Sequence, residues 1–122
     1  MKDLAPNIYR QRMIMEGNYN IKISNKSISD YLDGLAKELK MTKLTNPFIF
    51  SPNKLKHPLH HGIAGFIGWA ESGSSVYTWD KFNFFTVDIY TCKKFKKEKA
   101  ISFSKKFFKT NKLVYKEVTY GK

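Results

Sequence analysis

The stretch from Gly62 to Cys92, GIAGFIGWAESGSSVYTWDKFNFFTVDIYTC, constrains the fold more than any other part of the chain. GIAGFIGWAES and SSVYTW read as consecutive strands, DKFN as a turn, and FFTVDIYTC as a further strand. The connections between them are only a few residues long. A parallel crossover needs a dozen or more residues, so these strands are expected to pair as antiparallel neighbours.

The flanks supply the rest of the architecture. YRQRMIME, from Tyr9 to Glu16, reads as a first strand, with Gly17 and Asn18 turning the chain. Ser27 is the expected N-cap of a helix, with Asp30 three residues on as its capping-box partner. Ile28, Tyr31, Leu32, Leu35 and Leu39 then recur at helical spacing and form one apolar face. NPFIFSP is expected as a short strand closed by Pro52, and NKLKHPLHH as a loop. A second helix fits Lys96 to Lys109, with Ala100, Ile101, Phe103, Phe107 and Phe108 on or near its inner face. KLVYKEVTY closes the chain as a strand. The order is β-α-β-β-β-β-α-β. Two helices on one face of a mostly antiparallel sheet make an α+β, two-layer sandwich. With 122 residues, no repeat and no linker, one domain over residues 1–122 is expected.

The formal net charge is +12, which favours anionic partners and raises nucleic-acid binding as a hypothesis. Much of the excess lies in KKFKKEK and SKKFFKTNK, where lysines would line the wet face of one helix. Nucleic acid is therefore not expected as a partner. The single cysteine, Cys92, permits no intrachain disulfide, and a reducing, cytoplasmic setting is expected. The longest apolar run, Gly62 to Ala70, falls well short of the ~20 residues that cross a bilayer. The opening MKDLAPNIYRQR has no apolar signal core, so no membrane association is expected. His57, His60 and His61 share one proline-containing loop with no second ligand cluster, and no metal site is expected.

The polar residues in the strand-rich region carry a resemblance. Gly62, Gly65, Glu71, Ser72, Thr78, Trp79, Asp88, Thr91 and Cys92 stand, without a gap, at the spacing of G-[VI]-S-G, [AS]-E-S-H, H-T-W and D-[LVI]-[FY]-T-C. On these residues the chain resembles the small prokaryotic S-adenosylmethionine decarboxylases. MEG at Met15 to Gly17 and FIFSP at Phe48 to Pro52 resemble further segments of that family. The resemblance implies a proenzyme that rearranges and cleaves between Glu71 and Ser72. It implies a pyruvoyl group made from Ser72, whose carbonyl is the electron sink for loss of CO2. It also implies Cys92 as a proton donor, Phe50 as the aromatic stacked on adenine, and Glu71 as the acid at the ribose. Glu16 and Asp80 are further substrate-binding candidates. Family members of this size are homodimers with sites at or near the interface, so a homo-oligomer is expected. Read without the resemblance, Cys92 is a small buried hydrophobe and Asp88 a hydrogen-bonder at a strand end.

The departures from the family pattern shape the expected activity. Ala64 replaces the serine of G-x-S-G, Gly73 the histidine after the cleavage serine, and Tyr77 the histidine of H-T-W. Lys81 replaces the family's next acid, with Asp80 one place earlier. The serine and the H-T-W histidine assist self-cleavage in the family. Their replacement points to an unprocessed chain without a cofactor. The expected activity is an S-adenosylmethionine lyase, in which the substrate's own carboxylate attacks its γ-carbon. Methylthioadenosine leaves and homoserine lactone forms, driven by orientation and desolvation. Glu71, Ser72, Tyr77 and Cys92 are the candidate catalytic residues. A pyruvoyl-dependent decarboxylase of polyamine synthesis is the alternative, and a non-catalytic ligand-binding paralogue the second. A short chain of AT-rich composition suits a phage-encoded enzyme.

Overall fold

Alternation along β1 (Gln11–Asn18) buries Met13 and Met15 and turns Arg12 and Ile14 outward. The same period-two pattern buries Phe85, Val87, Ile89 and Thr91 along β5 (Phe84–Thr91). The other strands are β2 (Phe48–Phe50), β3 (Ala64–Trp69), β4 (Ser72–Trp79) and β6 (Leu113–Glu117). Two helices complete the chain, α1 (Asn25–Glu38) and α2 (Lys97–Phe108). The computed structural model describes residues 1–51 and 61–121. The closing role of Pro52, most of the NKLKHPLHH loop, and His57 and His60 lie outside the described residues.

The six strands form one sheet in the order β2-β3-β4-β5-β1-β6, and every pairing between them is antiparallel. Both helices cover the same face, which gives the α+β two-layer sandwich. The expected element order holds throughout. Boundaries move by a few residues: β1 begins at Gln11 rather than Tyr9, and β4 reaches back to Ser72. The DKFN turn is one turn of 3-10 helix, Asp80–Phe82, closed by Asn83 in a left-handed conformation.

Between the layers, Ile28, Tyr31, Leu32 and Leu35 of α1 are fully buried against Ile67, Val76 and Phe85. The Phe85 and Phe108 rings stack 4.0 Å apart, and Tyr31 lies 4.8 Å from Phe108. Ser104, also fully buried, pairs with the Tyr31 hydroxyl at 2.7 Å. That bond satisfies two polar groups in an otherwise apolar layer.

One expectation is corrected. The N-cap of α1 is Ser24, not Ser27. Ser24 accepts from the Ser27 N–H, while the Ser27 hydroxyl accepts from the Ser24 N–H at 2.7 Å. Asp30 instead pairs with Lys26 on the exposed face. Two serines three residues apart present the same signal, and the helix starts at the first because Ser27 can then reach back to it. Ser24→Ala is therefore expected to cost about 1 kcal/mol in urea unfolding. Asp30→Ala should cost no more than ~0.5 kcal/mol, the value of an exposed pair.

Candidate active site

The β3–β4 hairpin turns at Ala70 and Glu71, with Trp69 and Ser72 as its last paired residues. Ser72 has a φ of 138°, a conformation that residues with side chains rarely adopt. Such backbones typically cost ~1–3 kcal/mol and persist only where surroundings hold them. Here the surroundings are identifiable. The Ala70 N–H donates to the Thr42 carbonyl at 2.8 Å, and the Leu44 and Thr45 N–H groups donate to the Gly68 carbonyl. The Gly68 N–H donates to the Thr45 hydroxyl at 2.9 Å. The segment after α1 thus splints the hairpin from residue 68 to residue 71.

Glu71 is held from two sides. Its carboxylate accepts from the Thr42 N–H at 3.0 Å and from the Thr42 hydroxyl at 3.1 Å. The Thr42 N–H is the main cause that holds its pKa below the ordinary 4.5; the Thr42 hydroxyl and the charge of Lys93 add to it, against partial desolvation. Its backbone carbonyl accepts from the Cys92 N–H at 2.9 Å. Cys92 follows the end of β5, beside Ser72 through the pairing of Ser72 with Thr91. Its side chain is exposed, which corrects the reading of a buried hydrophobe. Glu71, Ser72 and Cys92 therefore form one group, joined at a single peptide bond.

The other candidates lie elsewhere on the sheet. Phe50 pairs with Ala64, Ala64 with Tyr77, Tyr77 with Thr86, and Thr86 with Glu16. One row across the face away from the helices thus carries Phe50, Tyr77 and Glu16. The Phe50 and Tyr77 rings meet edge to face at 6.0 Å and wall a cavity of about 300 Å3 with Ile63, Ala64 and Trp79. Gly62 also lines it, and a Cβ there would collide with the Thr78 carbonyl. Asp80 follows the end of β4, three residues after Tyr77. It accepts from the Tyr19 hydroxyl at 3.5 Å, and Tyr19 is pushed up to about 12 by burial and then by Asp80. The Ala64–Tyr77 pair and the Trp69–Ser72 pair stand five register steps apart, about 17 Å. Within one chain the candidates form two groups, a turn group and an aromatic group. Asp88 lies between them, exposed and opposite Ser75. Its place in mid-strand corrects the reading of a hydrogen-bonder at a strand end.

Thr42, Thr45 and Lys93 are the residues that sequence reasoning missed. Among the described residues, no three His, Cys, Asp or Glu side chains gather to hold a metal. Among the same residues, no helix is long and apolar enough to cross a membrane.

The Thr42 clamp is testable. A depressed carboxyl stabilises the fold above its ordinary pKa and loses that contribution as pH falls through its folded pKa. Thr42→Val keeps the N–H donor and removes the hydroxyl. Glu71 should then titrate part of the way back towards 4.5 in a side-chain NMR titration. The stability cost should stay below ~1 kcal/mol at neutral pH, because the pair is exposed. It should vanish as pH falls below the carboxylate range.

A family model described as S-adenosylmethionine decarboxylase matches residues 18–121. The chain is 34% identical over 68 residues to an S-adenosylmethionine decarboxylase proenzyme of Aquifex aeolicus, covering 55% of this chain and 44% of that protein. It thus spans less than half the length of that relative. It is 26% identical over 99 residues to a proenzyme of the same description from Thermosipho melanesiensis, covering 80% of this chain and 76% of that one. The crystal structure of the adenosylmethionine decarboxylase from Aquifex aeolicus superimposes with a TM-score of 0.73 at 21% identity, over 93% of this chain and 92% of that one. That likeness carries the fold.

Proposed function

The chain belongs to the S-adenosylmethionine decarboxylase family, and from that premise we propose that it is a self-processing decarboxylase of S-adenosylmethionine. The observation that carries this reading is the Glu71–Ser72 peptide. Its carbonyl oxygen already accepts an N–H from Cys92, and the residue after it is a serine in an unfavourable conformation. Attack of the Ser72 hydroxyl on the Glu71 carbonyl carbon would place negative charge on that oxygen. A preorganised N–H donor stabilises such charge. Transfer of the Glu71 acyl group from nitrogen to oxygen gives an ester. Elimination, with loss of the Ser72 α-proton, then frees the α-carboxylate of Glu71 as a new C-terminus and leaves dehydroalanine at position 72, whose hydrolysis consumes water, releases ammonia and leaves the pyruvoyl group.

The residues at the turn fit the pyruvoyl group that would result, since Ser72 is its source and the Thr42 and Cys92 contacts hold the peptide. When present, the group supplies an electron sink for loss of CO2. The chain's own residues do the rest. Glu71, anionic at neutral pH, attracts a substrate that carries a sulfonium. The exposed Cys92 thiol offers a movable proton. Phe50 and Tyr77 present aromatic surface to an adenine ring. Because the two groups are about 17 Å apart, a site that uses both draws on two copies of the chain. That supports a homo-oligomer, with the turn of one copy beside the aromatic row of another.

Ala64 and Tyr77 favour a second reading, the cofactor-free lyase that gives methylthioadenosine and homoserine lactone. Denaturing mass spectrometry with product analysis separates the two. The decarboxylase reading expects two fragments parting between Glu71 and Ser72, release of CO2, and complete loss of both in Ser72→Ala. An intact chain that makes methylthioadenosine, with Ser72→Ala still active, would establish the lyase instead. On either reading Phe50→Ala should weaken S-adenosylmethionine binding by calorimetry. The expected loss is roughly 3- to 10-fold, the value of one aromatic contact.

A further inference from the structure

The strongest further feature, which meets this site only at Lys93, is the charge on and around α2. From Lys93 to Lys112 the chain carries nine lysines against one acid, Glu98, a net of +8 out of +12. Lys97 is paired with Glu117, and the Lys93 ammonium donates to the Lys40 carbonyl. Among the described residues the other seven take part in no ion pair.

These lysines are arranged, not merely abundant. A groove of about 730 Å3 at the C-terminal end of α2 is lined by Lys105, Lys106, Lys109 and Lys112 with five neutral hydrogen-bonding residues. It has no acidic and no apolar side chain. A second groove, at the N-terminal end, is lined by Lys40, Lys93, Lys94, Lys96 and Lys99, with Glu38 its one acid and Leu39 and Phe95 its apolar residues, both buried. Lys99, Ser102 and Lys106, spaced by three and four residues and all exposed, join the two grooves along one helix face. The helix dipole explains cations in the last turn only, and so accounts for Lys105 and Lys106 but not for the rest.

Against the expectation from sequence that nucleic acid is no partner, the two grooves lead to a different reading: we propose that this face docks the phosphate backbone of duplex nucleic acid without reading its sequence. Lysine with neutral Ser, Thr and Asn groups is the donor set that contacts phosphates. A single-stranded partner would call for stacking aromatics, and the C-terminal groove contains none. A membrane surface would call for apolar residues beside the lysines, and a protein partner for aromatic or arginine anchors; that groove has neither. The twelve residues of α2 extend about 18 Å, enough to follow roughly five phosphates at 3.4 Å per strand step.

Fluorescence anisotropy with a labelled duplex of roughly 20 base pairs and arbitrary sequence tests the proposal, with binding followed from about 50 to 200 mM salt. About five phosphate contacts give a log–log salt slope near −4.5 and a ~500-fold loss over that range. The combined variant Lys105→Gln, Lys106→Gln and Lys109→Gln should flatten the slope to about −2. Lys22→Gln, Lys26→Gln and Lys37→Gln, which remove equal charge on and before α1, should leave the slope near the wild-type value. Circular dichroism confirms that both variants fold. No duplex binding at low salt, equal losses in the two variants, or tighter binding of a single strand would overturn the proposal. Binding to anionic vesicles but not to duplex would also do so. Displacement by inorganic phosphate at matched ionic strength would assign a small-anion site instead and overturn it too.

Discussion

Burial of one face of the sheet under the two helices fixes everything else in the molecule. Met13, Met15, Ile67, Val76, Phe85, Val87 and Ile89 all lie on that face and are fully buried. A slip of one residue in any strand would send its share of them to the surface. Exposing the whole set would forfeit roughly 10–20 kcal/mol, as much as the ~5–15 kcal/mol by which a domain is stable. The pairing register is therefore set by apolar burial, and the register in turn sets the outer face. Phe50, Ala64, Tyr77 and Glu16 share a row because the opposite face cannot be rearranged. The active-site candidates inherit their positions from side chains they never touch.

This dependence explains what could be read from the sequence. The helix faces were legible because burial repeats at helical spacing: Ile28, Tyr31, Leu32 and Leu35 are all fully buried. The hairpins were legible because their connections are short. The cap was misplaced by three residues because Ser24 and Ser27 carry the same chemistry and only geometry separates them. Ser104 gave no signal, since its burial depends on Tyr31, 73 residues away. Glu71, Ser72 and Cys92 were found through family spacing, but Thr42 was not. Its contact with Glu71 joins the exit of one helix to a distant hairpin, and no local pattern encodes such a meeting. The φ of Ser72 was invisible for a related reason, because local preference opposes it and the splint from Thr42 to Thr45 accompanies it.

Charge is distributed with the same economy. The chain carries ten acids against twenty-two lysines and arginines, and Glu71 is held in its anionic form among them. The N–H groups around it act as fixed positive ends, and Lys93 adds to their effect. An exposed carboxylate gains little from a distant lysine, because water and salt screen the interaction. The Thr42 backbone N–H, at 3.0 Å, acts at contact range. The lysine-rich stretch that leads into α2 therefore begins beside an anionic turn, with Lys93 at the junction. The two regions impose different demands: one needs a placed charge, the other a field.

The replacements at Ala64 and Tyr77 acquire a definite meaning from this geometry. Both residues sit on the aromatic row, paired with each other and five register steps from Ser72. Neither contributes to the splint, to the Glu71 clamp or to the Cys92 N–H donor. Their replacement leaves the shape of the Glu71–Ser72 peptide to the residues that hold it. Loss of a charge-stabilising donor typically slows a reaction by ~10²–10³, and loss of a proton-transfer group by ~10²–10⁴. These are penalties on rate. Self-processing happens once in the life of a chain, whereas turnover recurs with every substrate molecule. A slow cleavage is tolerable in a way that slow turnover is not. On the proposed self-processing reading, the turn works with poorer helpers on a peptide that Thr42 and Cys92 hold in place.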